Sequence, residues 1–199
     1  MRLEKSQLEP ASEVLARAFF DDPALVPLVP EPHKRIALLR SLFRVSLGHA
    51  IKHGEVYSIS PKMEGVAVWL PSGIPEMTLW QMLRSGGPGL LFRVSWKLLW
   101  KMKKDETFAS RLRRRLAPTP HWYLAVLGVD PKFQGKGYAS RLMKPMLKKL
   151  DAGKMPCYLE TSTEEYVSIY RHFGFKMVYE AELPGSGSPM WAMVREKGG

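Results

Sequence analysis

Between Pro10 and Phe20 the apolar positions fall at helical spacing and predict a first short helix. The stretch DDPALVPLVPEP over 21–32 ends it, because each proline removes a backbone donor and restricts the residue before it. Residues 33–52 return to helical spacing, with Ile36, Leu39, Leu42, Phe43 and Leu47 on one side. After Gly54 the pattern shortens. The segments EVYSIS and, after Gly65, VAVWLP are rich in β-branched and aromatic residues and predict a hairpin, joined through Pro61 and Lys62 and ended by Pro71, Gly73 and Pro75. Over 76–117 two or three helical pieces are expected, at 76–85, about 89–104 and 106–116, with GGPG at 86–89 separating the first two.

From His121 the periods alternate. WYLAVLGV reads as a strand bounded by Asp130-Pro131, and a helix follows over 137–151. PCYLETS is a second strand, 164–173 a second helix and FKMVYEAEL a third strand. After the turn PGSGSP, MWAMVRE is the last strand. The strands joined by the 137–151 helix should run parallel, which predicts an α/β fold around one sheet. One domain over 1–199 is expected, with a helical insertion at about 76–117. Pro145 falls in the middle of the 137–151 helix, where such a residue costs about 3 kcal/mol. Leu142, Met143, Met146, Leu147 and Leu150 nonetheless form an apolar stripe, so a kinked but continuous helix held by packing is expected.

Composition narrows the class. The chain has 199 residues, 45% apolar and 25% charged, as in an ordinary globular protein. It lacks an N-terminal apolar run of secretory type and any segment near the roughly 18 apolar residues of a membrane span. A cytoplasmic protein with no membrane span is therefore expected. The net charge of +11 favours anionic partners, whether phosphates, nucleic acid or a membrane surface. That charge is spread along the chain and no nucleic-acid motif accompanies it, so no nucleic acid is expected. RVSWKLLWKMKK reads either as a membrane-facing amphipathic helix or as a helix whose tryptophans pack inward and whose lysines are solvated. Arg113–Arg115 reads as a solvated helix end or a phosphate contact. The single cysteine, Cys157, reads as a small core residue. His49 and His53 are spaced i,i+4 but lack a carboxylate between them and an obvious third ligand, so no metal is expected.

The loop between strand 121–129 and helix 137–151 carries the chemistry. Gly135 and Gly137 allow tight turns and close backbone approach to a ligand. The first amides of the following helix lack intrahelical partners and lie at its positive end, where a pyrophosphate is a natural occupant, and Lys136 adds charge there. A Walker loop needs GxxxxGK[ST], which is absent. A dinucleotide fingerprint needs a third Gly or Ala where Ser140 stands. The pattern Q/R-x-x-G-x-G/A is satisfied by Gln134, Gly137 and Ala139. By itself it leaves open a glycine-rich helix entry with no ligand.

Further along come Leu159-Glu160-Thr161-Ser162-Thr163 and Tyr170-Arg171-His172-Phe173-Gly174-Phe175. With LGVDPKFQGKGYAS these segments, in this order and spacing over about 121–181, resemble the GNAT superfamily of acyl-CoA-dependent N-acyltransferases. The resemblance implies a mixed, mostly antiparallel sheet with a central parallel strand pair flanked by helices. It implies acetyl-CoA as cosubstrate. Leu127, Gly128 and Val129 would pair with the pantetheine arm like an added strand, and amides of Gln134, Gly135, Lys136, Gly137, Tyr138, Ala139 and Ser140 would hold the pyrophosphate. Tyr170 would act as general acid toward the departing thiolate. Thr163 stands where the family often has Asn. There it can cap the helix, but a side-chain contact to the cofactor is in doubt. Glu160 reads as a base within reach of the cleft, a surface residue or a structural hydrogen-bond partner. Tyr123 is a weaker candidate for touching the acceptor. The expected activity is direct transfer of an acetyl group to a primary amine, most simply a small-molecule amine, although a protein N-terminus or lysine fits as well. A homodimer is compatible. A CoA-sensing module without catalysis and a basic nucleic-acid or anionic-membrane binder are the rival classes.

Overall fold

The computed structural model describes residues 1–74 and 95–198. The helices are α1 (Leu8–Ala18), α2 (Pro32–His53), α3 (Trp96–Leu116), α4 (Tyr138–Ala152) and α5 (Glu164–His172). The strands are β1 (Glu55–Ser58), β2 (Gly65–Pro71), β3 (Trp122–Val129), β4 (Cys157–Thr161), β5 (Lys176–Glu182) and β6 (Pro189–Arg195). They form one six-stranded sheet in the order β1-β2-β3-β4-β6-β5. Every pairing is antiparallel except β3 with β4. The expected mixed sheet with a central parallel pair is the fold of this chain.

Two differences from the sequence reading have physical reasons. The pieces expected at 89–104 and 106–116 join in one helix, Trp96–Leu116, within the described residues. No glycine or proline lies within it, and Asp105, at the expected break, turns its carboxylate outward to the amides of Gly185 and Ser186. Ser95 caps this helix by accepting from the Leu98 amide. The piece expected at 76–85 and the start of the next fall outside the described residues. Thr163 is the N-cap residue of α5 but its side chain accepts no capping bond. Its amide instead donates to Thr161 Oγ1 at 3.4 Å.

Pro145 sits inside an unbroken α4. The missing amide is tolerated because Leu142, Met143, Met146, Leu147 and Leu150 are all buried against the sheet. At about 1.5–3 kcal/mol per fully buried apolar side chain, that stripe outweighs the proline penalty.

The two faces of the sheet carry different cores. One is covered by α4 and α5, where Leu124, Cys157, Leu159, Tyr170 and Phe175 pack with the α4 stripe. The other is covered by α1 and α2 over Val56, Val66 and Val68, and by α3 over Tyr158, Ala192 and Val194. Among the described residues no helix is long and apolar enough to cross a membrane.

The feature that positions the site is an opening inside the sheet. β3 and β4 pair only at Trp122↔Cys157 and Tyr123↔Tyr158. Beyond these, β3 continues to Val129 against β2 alone. A bulge causes the divergence: Val68 pairs with Val126 and Trp69 with Leu124, leaving Ala125 extra. Ala125 and Val126 therefore both pack toward the α1/α2 core, where strict alternation would separate them. Bulges raise local twist and end pairing, so among the described residues no strand pairs with the β4-facing side of β3 from Leu124 onward.

Candidate active site

The loop leaving β3 begins at Asp130, which is 3% exposed. Its carboxylate accepts from the Lys132 amide at 3.1 Å, starting a short 3-10 turn over Pro131–Phe133. The same carboxylate receives Arg17 from α1, with Nε at 2.8 Å and Nη2 at 2.6 Å from Oδ2. Burial alone would raise the pKa of Asp130, but the Lys132 amide and the Arg17 guanidinium outweigh it and hold the group below the usual carboxylate range. The contact spans 113 positions in sequence, and no local pattern announces it.

After this anchor the backbone turns through Gly135 at φ 72° and Gly137 at φ 74°. Both lie in the left-handed region that favours glycine. A Cβ built on either would meet nothing within 4 Å, so the space beside them is open. Gly137 is the N-cap of α4 and supplies no side-chain cap. The amides of Tyr138, Ala139 and Ser140 thus lie in the first turn of a helix whose N-cap residue gives them no side-chain acceptor. Lys136 is exposed and its Nζ sits 3.2 Å from the Lys132 carbonyl oxygen. Gln134 differs from its neighbours: its side-chain amide donates back to the Val129 carbonyl at 3.1 Å. It fastens the loop to the end of β3.

Leu127, Gly128 and Val129 form the last part of β3, where the β4 side lacks a strand. The glycine at 128 has a packing reason of its own, since a Cβ there would lie 2.7 Å from Leu15 Cδ2 and 3.1 Å from Ala18 Cβ. Removal of that side chain lets α1 sit directly on the strand.

Tyr170 comes from α5 and is 8% exposed. Its ring meets Phe175 edge-on at 5.9 Å. Burial, with smaller effects from Tyr166 and Cys157, pushes its phenol well above the ordinary tyrosine range, so it stays protonated at physiological pH. Cys157 is fully buried in the same core, and burial pushes its thiol up to about 12. That excludes a reactive thiolate.

Glu160 lies on the opposite face. Tyr123 donates its hydroxyl to Glu160 Oε2 at 2.6 Å, and Arg113 Nη1 lies 3.5 Å from Oε1. The Arg113 guanidinium also covers the Tyr123 ring at 4.1 Å. The basic run at the end of α3 thus contributes Arg113 to the sheet face, with its side chain 16% exposed. Burial first, then Glu160, pushes the Tyr123 phenol upward. The two residues that sequence reasoning pairs as catalytic are therefore separated by the sheet, Tyr170 on the α5 side and Glu160 on the α3 side.

On that α3 side a cavity of ≈ 750 Å³ opens between α2, α3 and the β2–β3 surface. Tyr123 and Ala125 line its floor, so it reaches the level of the bulge. One residue near the opening escaped sequence reasoning. Asp22, in the α1–α2 connection, accepts from Ser162 Oγ at 3.0 Å just past β4. Burial raises its pKa despite hydrogen bonds from Ala24 and Ser162. The proline-rich composition around it reads only as a helix break.

A family model described as an acetyltransferase (GNAT) domain matches residues 94–197. The chain belongs to the GNAT acetyltransferase family. An uncharacterised N-acetyltransferase of Schizosaccharomyces pombe is 30% identical over 98% of this chain and 82% of that protein. Among solved structures, a histone acetyltransferase HPA2 and related acetyltransferase from Corynebacterium glutamicum aligns with TM-score 0.67 at 21% identity, covering 99% of this chain and 94% of that one. A polyamine N-acetyltransferase of Drosophila melanogaster aligns with TM-score 0.59 at 16% identity, covering 98% and 97%. GNAT acetyltransferases use acyl-CoA, and the open turn with its uncapped helix amides, beside an unpartnered strand edge, suits a pyrophosphate joined to a pantetheine arm.

Proposed function

We propose that this protein is an N-acetyltransferase that moves the acetyl group of acetyl-CoA directly to a primary amine. The observation that carries the reading is the splay of β3 from β4 beyond Tyr123, with an uncapped helix start at Gly137 at its far end. Amides of Gln134 through Ser140 hold the pyrophosphate, assisted by the positive end of α4 and by Lys136. Backbone groups of Leu127, Gly128 and Val129 hold the pantetheine as a sheet edge holds an added strand. These main-chain donors also polarise the thioester carbonyl as negative charge develops on its oxygen.

The acceptor approaches from the cavity on the α2/α3 face. It arrives as an ammonium and must lose a proton before it can attack. Glu160 is the proposed base, and Tyr123, which lines the cavity and donates to Glu160, links the two. Once the neutral amine adds to the carbonyl, the carbon–sulfur bond breaks and the sulfur leaves. Tyr170, protonated and buried on the other face, donates its hydroxyl hydrogen toward that sulfur, and the second proton shed by the new amide nitrogen goes to solvent, from which the phenolate is reprotonated. Attack from one face and departure toward the other agree with a single direct displacement without an acyl-enzyme, and buried Cys157 offers no alternative nucleophile.

The test is free-thiol release from acetyl-CoA in the presence of an amine panel, with isothermal titration of acetyl-CoA beside it. Amine-dependent thiol release supports the transferase. Tight cofactor binding without release to any amine supports a CoA-sensing module instead, and no binding at high micromolar acetyl-CoA overturns both.

A further inference from the structure

The same cavity says which kind of amine it suits. This inference rests on the acyltransferase reading and goes further by naming the acceptor class. The sheet-side and α2 walls are mostly apolar, through Phe43, Leu47, Val68, Leu70 and Val126, with Ser46, His49 and Tyr123 among them. Of the described lining residues one is a carboxylate, Glu106, and it already binds Lys103 Nζ at 2.7 Å. Glu160 lies behind Tyr123 and is engaged by Arg113. Two arginines, Arg113 and Arg114, line the same space. His49 and His121 line it too, and burial lowers both their pKa values, toward neutral imidazoles.

We propose that the acceptor is a monoamine with an apolar aryl or alkyl body, and that polyamines are poor substrates. The reason is desolvation. A polyamine would bring two or more ammonium groups into the cavity, and each buried cation needs a carboxylate or several carbonyl partners. An apolar body instead gains from being removed from water against the Phe43–Leu70 wall. A cavity of ≈ 750 Å³ lies within the range that encloses small organic ligands. The single ammonium then faces Tyr123 and the carboxylate behind it, toward which its proton can leave.

The experiment compares kcat/KM for 2-phenylethylamine and hexylamine with that for spermidine and putrescine, in a protein whose acetyl-CoA binding is measured on the same sample. The apolar amines should exceed the polyamines by about ten-fold or more. Ser46, which lines the cavity from α2, supplies the second arm: Ser46→Asp should lower use of 2-phenylethylamine and raise use of spermidine. Ala109→Phe, which fills space from α3, should reduce 2-phenylethylamine turnover more than that of methylamine. Equal or better use of polyamines by the wild type overturns the inference, as does a protein that binds acetyl-CoA and transfers to neither class. An unchanged ratio in both variants overturns the location of the site. Failure to bind acetyl-CoA at all overturns the acyltransferase reading itself, and is told apart by the titration.

Discussion

Arg17 of α1 holds Asp130 at the end of β3 through two contacts to one carboxylate oxygen, at 2.8 and 2.6 Å. The turn that carries Gly135 and Gly137 is thereby tied to the first helix of the fold. Replacing Arg17 with Met should leave a carboxylate that is almost wholly buried without its cation. The Arg17 side chain is 39% exposed, so solvent screens part of the loss and a stability cost of about 1–2 kcal/mol is expected. Acetyl-CoA affinity should fall about three- to ten-fold although Arg17 touches no cofactor in the proposed geometry. The pH dependence gives a signature. Because the folded pKa of Asp130 is lowered, its stabilisation is present above the unfolded value near pH 4 and lost as pH falls through the folded value. Acid denaturation curves of R17M should show a shallower loss there than wild type. Identical curves and affinities would remove the pair from the account.

Tyr170→Phe isolates the leaving-group step. The ring and its contact with Phe175 are kept and only the hydroxyl goes. Turnover should drop about 100-fold, the scale of one positioned acid, while acetyl-CoA affinity stays within about two-fold. An unchanged kcat would exclude the phenol from the reaction.

Glu160→Gln tests the base. At neutral pH kcat/KM should fall by about 100-fold. The deficit should shrink as pH rises toward the pKa of the acceptor amine, because the amine then arrives already deprotonated. Tyr123→Phe should give a smaller deficit with the same pH trend. A uniform loss at every pH would mean that Glu160 only holds Arg113 and Tyr123 in place.

Asp22 behaves in the opposite sense from Asp130. Its folded pKa is raised, by burial first. The native state then binds the proton more tightly than the unfolded chain, so stability falls as pH rises from the unfolded value near pH 4 through the folded one. Asp22→Asn keeps an acceptor for Ser162 and should flatten that slope in chemical denaturation between pH 4 and 7. A variant with the wild-type slope would assign it to another group.

Much of the fold was legible because local periodicity and backbone punctuation decided it. The alternation of WYLAVLGV, the stripe Leu142 to Leu150 and the pair Gly135/Gly137 each announce their element without reference to the rest of the chain. The break expected near residue 105 failed for the complementary reason. The carboxylate of Asp105 is satisfied by Gly185 and Ser186, eighty positions away, and nothing local reports it. The same holds at the site. The loop was readable from its glycines, but the bulge at Ala125 depends on how β2 meets β3, and the roles of Arg17 and Arg113 depend on which helix lands on which face. Gln134 was expected to offer its amide, but that amide donates to the Pro131 carbonyl at 3.4 Å and the side chain turns back to Val129. Glu160 and Tyr170 were readable as candidates, while their separation by the sheet is a property of register: Leu159 packs with the α4/α5 core, and its neighbour Glu160 meets Tyr123 and Arg113 on the α3 face.

The central claim is that main-chain amides at the start of α4 and the free edge of β3 receive acetyl-CoA. Backbone amide NMR of the ¹⁵N-labelled protein, titrated with acetyl-CoA, reads those groups individually. The account expects saturable shifts concentrated at Gly135 to Ser140 and at Leu127 to Val129. Saturable shifts confined to other surfaces, or none at high micromolar ligand, would contradict it.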